Sequence, residues 1–131
     1  MFKGIDHVVV AVRDIEAAIA RWETIYSISV STRAEEAMSS MKMAFFRFTD
    51  TYTVLVSSTD EKGPIGAWIA ERGESVWIVA MKVDDITATV ADLRQKGIKL
   101  IGDPGPGVPV TGRLFVEASE MGGHLMQLIQ R

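Results

Sequence analysis

Residues 5–22, IDHVVVAVRDIEAAIARW, recur as residues 76–93, VWIVAMKVDDITATVADL. His7, Asp14 and Ile19 of the first copy fall on Ile78, Asp85 and Val90 of the second, with no insertion between them. A repeat of this length within one chain reads as a duplicated structural unit, whose equivalent positions can be compared pairwise. Each copy opens with an apolar, β-branched run of strand length, residues 7–12 and 78–83. An Asp at an N-cap position follows in both (Asp14, Asp85), and then apolar residues at helical spacing. These are Ile15, Ala18, Ile19 and Trp22 in the first copy and Ile86, Val90 and Leu93 in the second, with Gly97 placed as a helix stop.

Outward from the repeat, each helix is followed by β-rich segments. In the first half these are residues 27–32, 41–48 and 52–57; in the second, residues 98–101, 113–118 and 125–130. Each half therefore reads βαβββ, and the fold class is α+β. The expected organisation is a single domain over residues 1–131, with a first module at 1–58, a linker at 59–74 and a second module at 75–131. Within the linker, Pro64 can open a short helix carrying Ile65, Trp68 and Ile69, which Gly73 closes. Asp103 to Gly107 reads DPGPG, whose alternating Pro and Gly exclude regular structure and favour a stiff rim loop over a flexible lid.

Composition narrows the function classes. With 14 Lys and Arg against 17 Asp and Glu, the formal charge is −3, and no basic patch suited to a phosphate backbone stands out, so nucleic acid is not an expected partner. The longest apolar run, residues 76–81, is far short of a membrane span, and the N-terminus lacks the charged and apolar regions of a signal peptide. No cysteine is present, which removes disulfides, thiolate metal sites and cysteine nucleophiles and makes the cytoplasm the expected compartment. No phosphate-binding glycine loop and no GxSxG elbow occurs, and two histidines leave little room for a conventional triad.

The segments IDHVVVAVRDIEAA, GPIGAWIAERGES, VDDITATVADLRQKGIKLI and GGHLMQLIQ, in this order and spacing, resemble the glyoxalase/bleomycin-resistance group, the vicinal oxygen chelate superfamily. Within it they are most similar to the methylmalonyl-CoA epimerase-like members, and together they cover nearly the whole chain. The resemblance implies two paired βαβββ modules whose sheets curl into an incomplete barrel around a site, in a protein that is usually a dimer. It also implies a divalent metal held by four side chains, two from each half. Carried over position by position, the ligands fall on His7, Val54, Ile78 and Gln127. Valine and isoleucine have no lone pair, and one imidazole with one carboxamide falls short of the three or four protein ligands of zinc sites. No metal cofactor is therefore expected, unless His124 substitutes as a ligand, against which strand alternation argues. The two acid/base carboxylates of the epimerase fall on Met43 and Gln127, neither of which titrates near neutrality.

Strand alternation places further residues on the faces of those positions: Val9 and Ala11 with His7, Tyr52 and Val56 with Val54, Ala80 and Lys82 with Ile78, and Leu125 and Ile129 with Gln127. The middle strands add Met43, Phe45 and Arg47 in one half and Arg113, Phe115 and Glu117 in the other. The candidate ligand-binding set is Met43, Phe45, Tyr52, Val54, Ile78, Arg113, Phe115 and Gln127, with His7 as the candidate catalytic residue. His7 is either an acid, base or hydrogen-bonding group in an apolar cavity or a family remnant satisfied by a neighbour. Arg113 either neutralises a ligand anion or pairs with Glu117. Gln127 either orients a ligand carbonyl or bonds to His7. Trp22, Trp68 and Trp77 read as packing residues, and Glu35 and Glu36 as part of a solvated face.

Three functions remain open. The first is a metal-free cavity for a small organic molecule, either for binding alone or for mild isomerase or lyase chemistry by His7. The second is a metal-dependent enzyme of the epimerase type, and the third a non-catalytic dimerising module. The expected partners are a small-molecule ligand and a second copy of the chain, with no nucleic acid and no membrane.

Overall fold

The computed structural model describes residues 1–38 and 40–131. Among them lie eight strands and three α-helices. The first module comprises β1 (Phe2–Ala11), α1 (Ile15–Tyr26), β2 (Thr32–Glu36), β3 (Met41–Arg47) and β4 (Tyr52–Ser58). A linking helix, α2 (Pro64–Arg72), follows. The second module comprises β5 (Ser75–Val83), α3 (Ile86–Gln95), β6 (Leu100–Ile101), β7 (Phe115–Val116) and β8 (Leu125–Gln130), with a 3-10 turn over Ala118–Glu120. Both halves are thus βαβββ, and the class is α+β as the repeat indicates.

The helix boundaries follow their capping chemistry. Asp14 and Asp85 both adopt extended backbone and accept from the third residue onward, Ala17 N–H at 3.1 Å and Ala88 N–H at 3.0 Å. Each cap satisfies one of the four N–H groups that a helix start leaves without a partner. Pro64 occupies the first turn of α2, and Gly73 ends that helix by donating its N–H to Ile69 O at 2.7 Å. Gly97, with φ +73°, follows α3 in the left-handed conformation, while Ile98 N–H reaches back to Leu93 O at 3.1 Å.

Compact packing divides the chain into residues 7–77 and a second unit that joins residues 1–6 to residues 78–131. In the first unit the strand order is β2-β3-β4-β1, with β1 parallel to β4 and the other neighbours antiparallel. One face of this sheet packs on α1. Its core is Val12, Ile15, Ile19, Ala44, Phe46 and Leu55, bordered by Trp22 and Tyr26. In the second unit the order is β5-β8-β7-β6, and its core is Val83, Val90, Leu114, Val116, Met126 and Leu128. Val12 and Ile19 are the repeat counterparts of Val83 and Val90, so the duplication extends into the choice of core residues. Asp6, at the start of the chain, is paired within the second unit, its Oδ1 lying 2.7 Å from Arg131 Nε.

Three strands differ from the sequence expectation. The second strand of the first module lies at Thr32–Glu36 rather than at residues 27–32. Ser27 takes the left-handed conformation at the end of α1 (φ 58°), and Val30 donates its N–H to Glu23 Oε2 at 2.8 Å, so residues 27–31 serve as the return from the helix. β6 and β7 are shorter than residues 98–101 and 113–118. Gly102, with φ +86°, ends β6, and the 3-10 turn at Ala118 prevents β7 from continuing.

The DPGPG segment is fastened at its base. Asp103 accepts Arg94 Nη2–H at 2.6 Å and Nε–H at 2.9 Å, and also Gly105 N–H at 2.9 Å. The bond from Arg94 is the main reason that the Asp103 carboxyl is held down at about 2, with the Gly105 N–H contributing.

Candidate functional site

The strand register assembles one face of the first module row by row. His7 pairs with Tyr52, which pairs across the next ladder with Arg47. The following row is Val9, Val54 and Phe45, and the one after it Ala11, Val56 and Met43. Side chains alternate along each strand, so these nine share a face, opposite the face that carries Phe46 and Leu55 toward α1. Five of the expected site residues, His7, Met43, Phe45, Tyr52 and Val54, are therefore brought together.

The first row carries the polar chemistry. The His7 imidazole, 9% exposed, stacks on the Tyr52 ring with centroids 4.6 Å apart and planes 13° from parallel. Phe45 lies 6.1 Å from Tyr52, centroid to centroid. The Arg47 guanidinium carbon sits 5.3 Å from the Tyr52 centroid and 5.5 Å from that of Phe45. Imidazole, phenol and guanidinium thus stand side by side on β1, β4 and β3, above an otherwise hydrocarbon surface. Aromatic stacking fixes the plane of the imidazole, and the ring faces attract the cation.

Parity reading placed Arg47 on this face without marking it as a ligand contact. Its pairing opposite Tyr52 follows from the β3–β4 turn, which centres on Thr49 and Asp50 and is closed by Phe48 N–H to Thr51 O at 2.8 Å. A two-residue turn assumed at Thr49–Asp50 would have given the same register from the sequence.

In the second module Ile78 pairs with Leu125, Ala80 with Gln127 and Lys82 with Ile129, while Gln127 also pairs with Phe115. Ile78, Gln127 and Phe115 thereby share one face of that sheet. Arg113 lies before β7, outside the strand itself, with an exposed side chain. His124 lies before β8 with its Nδ1 3.1 Å from the Leu125 carbonyl oxygen.

The resemblance implies a divalent metal at His7, Val54, Ile78 and Gln127, and the side chains present do not fit one. Val54 and Ile78 offer only hydrocarbon, and among the described residues no three His, Cys, Asp or Glu side chains come together as a donor set. A divalent ion needs several nitrogen, sulfur or anionic oxygen donors to replace its water shell.

The fold and this face define a class. Residues 6–116 match the model of the Glyoxalase/Bleomycin resistance protein/Dioxygenase superfamily, and the chain belongs to that superfamily. Among characterised proteins, the chain is 25% identical to the ethylmalonyl-CoA/methylmalonyl-CoA epimerase of Cereibacter sphaeroides, over 99% of both chains. It is 26% identical to the human mitochondrial methylmalonyl-CoA epimerase, over 96% of this chain and 73% of that one. Among solved structures it superposes with a TM-score of 0.79, at 26% identity, on a variant of Streptomyces coelicolor methylmalonyl-CoA epimerase in complex with 2-nitronate-propionyl-CoA, covering 99% of this chain and 98% of that one. The fold is the glyoxalase-like one of these structures. No helix among the described residues is long and apolar enough to cross a membrane.

Proposed function

We propose that the chain is a small-molecule site of the glyoxalase superfamily that works without a divalent metal, with His7 as its acid/base group. The supporting observation is the first row: a single imidazole held flat against Tyr52, next to the apolar row of Val9, Val54 and Phe45. An imidazole is the side chain best suited to exchange a proton near neutral pH. In an isomerase or lyase step it takes a proton from the carbon beside an activated carbonyl; in an isomerase it then returns that proton to the product. Val54, Val9 and Phe45 exclude water around it and keep the proton on the reacting pair. The ligand is a small organic molecule, in line with the acyl-CoA ligands named for the similar epimerase structures.

The metal-dependent epimerase reading is the rival. It is disfavoured because Met43 and Gln127 stand where the epimerase resemblance puts its proton-transferring carboxylates, and neither carries an ionisable group. A homodimer in the cytoplasm is the proposed setting. Thermal unfolding with and without candidate acyl thioesters tests it. A ligand of the folded state raises the melting temperature, and His7→Ala is expected to abolish that rise while the unliganded variant melts near the parent. An equal rise in parent and variant excludes His7 from the site.

A further inference from the structure

We propose that Arg47 is the anion anchor of this site and that its ligand carries a carboxylate; this rests on the reading that the His7 face binds a small molecule. The guanidinium of Arg47 forms no ion pair among the described residues, whereas Arg33 on the adjacent strand β2 pairs with Glu16. It is held by the faces of Phe45 and Tyr52, at 5.5 and 5.3 Å. A cation–π contact of this kind uses the charge of the guanidinium rather than its N–H donors, which remain able to make a bidentate contact. The backbone beneath is fixed as well, because Arg47 N–H donates to Ser31 Oγ at 3.0 Å in addition to the ladder with β4.

Position selects the ligand. Arg47 on β3 and His7 on β1 flank Tyr52 on β4, so the two strands are separated by two ladder spacings, about 10 Å. A ligand with an anionic group on Arg47 and its reacting carbon beside His7 lies across Tyr52 and Phe45, whose rings favour a flat or apolar middle portion. The row offers one fixed positive charge, which matches a monoanionic carboxylate. A phosphate dianion at the same place would bring a second negative charge for which the row supplies no second fixed cation. The anchor differs from Arg113, the cation that strand parity also offers, which stands before β7 and outside the ladder, whereas Arg47 lies within β3 opposite Tyr52.

The test uses benzoate, its neutral isostere benzamide, and inorganic phosphate, titrated into the full chain with affinities read from amide chemical shifts. The parent protein is expected to bind benzoate at least tenfold more tightly than benzamide or phosphate, with shifts at His7, Phe45 and Tyr52. Arg47→Gln should bring benzoate down to the affinity of benzamide, and Arg47→Lys should keep part of the preference, with both variants melting near the parent. Phosphate binding as tightly as benzoate, no preference for benzoate in the parent, or a preference that survives in Arg47→Gln would each overturn the anchor. If benzoate binds through His7 alone, lost in His7→Gln and kept in Arg47→Gln, the His7 site stands and the anchor falls. If no probe shifts the His7 row, both fall.

Discussion

His7 and Tyr52 stack within 13° of parallel at 4.6 Å, on neighbouring strands that pair them directly. The contact joins the first strand of the module to its last, and it puts the one buried imidazole of the first module between hydrocarbon and an aromatic face. A metal ligand needs its ring edge turned toward further donors. Here the next position along β4 on the same face is Val54, which supplies none.

The loop lock between Arg94 and Asp103 should show in the pH dependence of stability. The folded carboxyl of Asp103 titrates at about 2, below its ordinary value of 3.8, chiefly because Arg94 donates to it. A lowered folded pKa means that the unfolded chain takes up the proton first as pH falls. The contribution is therefore fully present above about pH 4 and is lost as pH falls through about 2. Urea unfolding of the parent and of Asp103→Asn should differ by a constant amount from pH 7 to pH 5, with the gap closing toward pH 2. A gap independent of pH over that whole range would show that the carboxylate charge contributes nothing.

Gly102 is expected to be intolerant of any side chain. Its φ is +86°, and a Cβ there would lie 2.3 Å from the Arg113 carbonyl oxygen on the opposing segment. Backbone rather than a flexible side chain is in the way. Gly102→Ala should cost at least about 2 kcal/mol in urea unfolding, from the left-handed backbone and the overpacking together. By comparison, Gly112→Ala, where a Cβ meets nothing within 4 Å, should be nearly neutral.

The hydroxyl of Thr53 is buried with no hydrogen-bond partner among the described residues. It pairs with Val8 and Phe46, on the face away from His7. Replacing it by the isosteric Val removes an unsatisfied oxygen without changing shape, so Thr53→Val should stabilise the chain by about 1 kcal/mol. The ligand-induced shift in melting temperature should be unaffected, since the His7 face is untouched.

The repeat made most of this fold legible. Asp14 and Asp85 mark helix starts because a carboxylate is the side chain that satisfies a free N–H there, and Pro64, Gly73 and Gly97 mark boundaries because each has a backbone restriction or freedom that the boundary uses. β2 escaped because it is an edge strand of its module, with the sequence TRAEE. Exposed edges carry charge to discourage further pairing, which erases the apolar alternation that identifies an inner strand. The preceding residues 27–31 alternate Ser with Ile or Val up to Ser31 and imitate the missing pattern. The His7 face was readable from parity alone, but the Tyr52–Arg47 pairing needed the register of the β3–β4 turn. The Arg94–Asp103 bond carried no signal in either sequence pattern, since it joins a helix to an irregular loop.

The most direct test of the account is proton exchange at the carbon beside the carbonyl of a bound acyl thioester, followed by NMR in D2O with excess chelator, for the parent and for His7→Gln. Exchange is expected to be unchanged by chelation and reduced at least about a hundredfold by His7→Gln, the usual scale of a lost acid/base group. Exchange that stops on chelation and returns on adding a divalent ion, or that continues undiminished in His7→Gln, would contradict it.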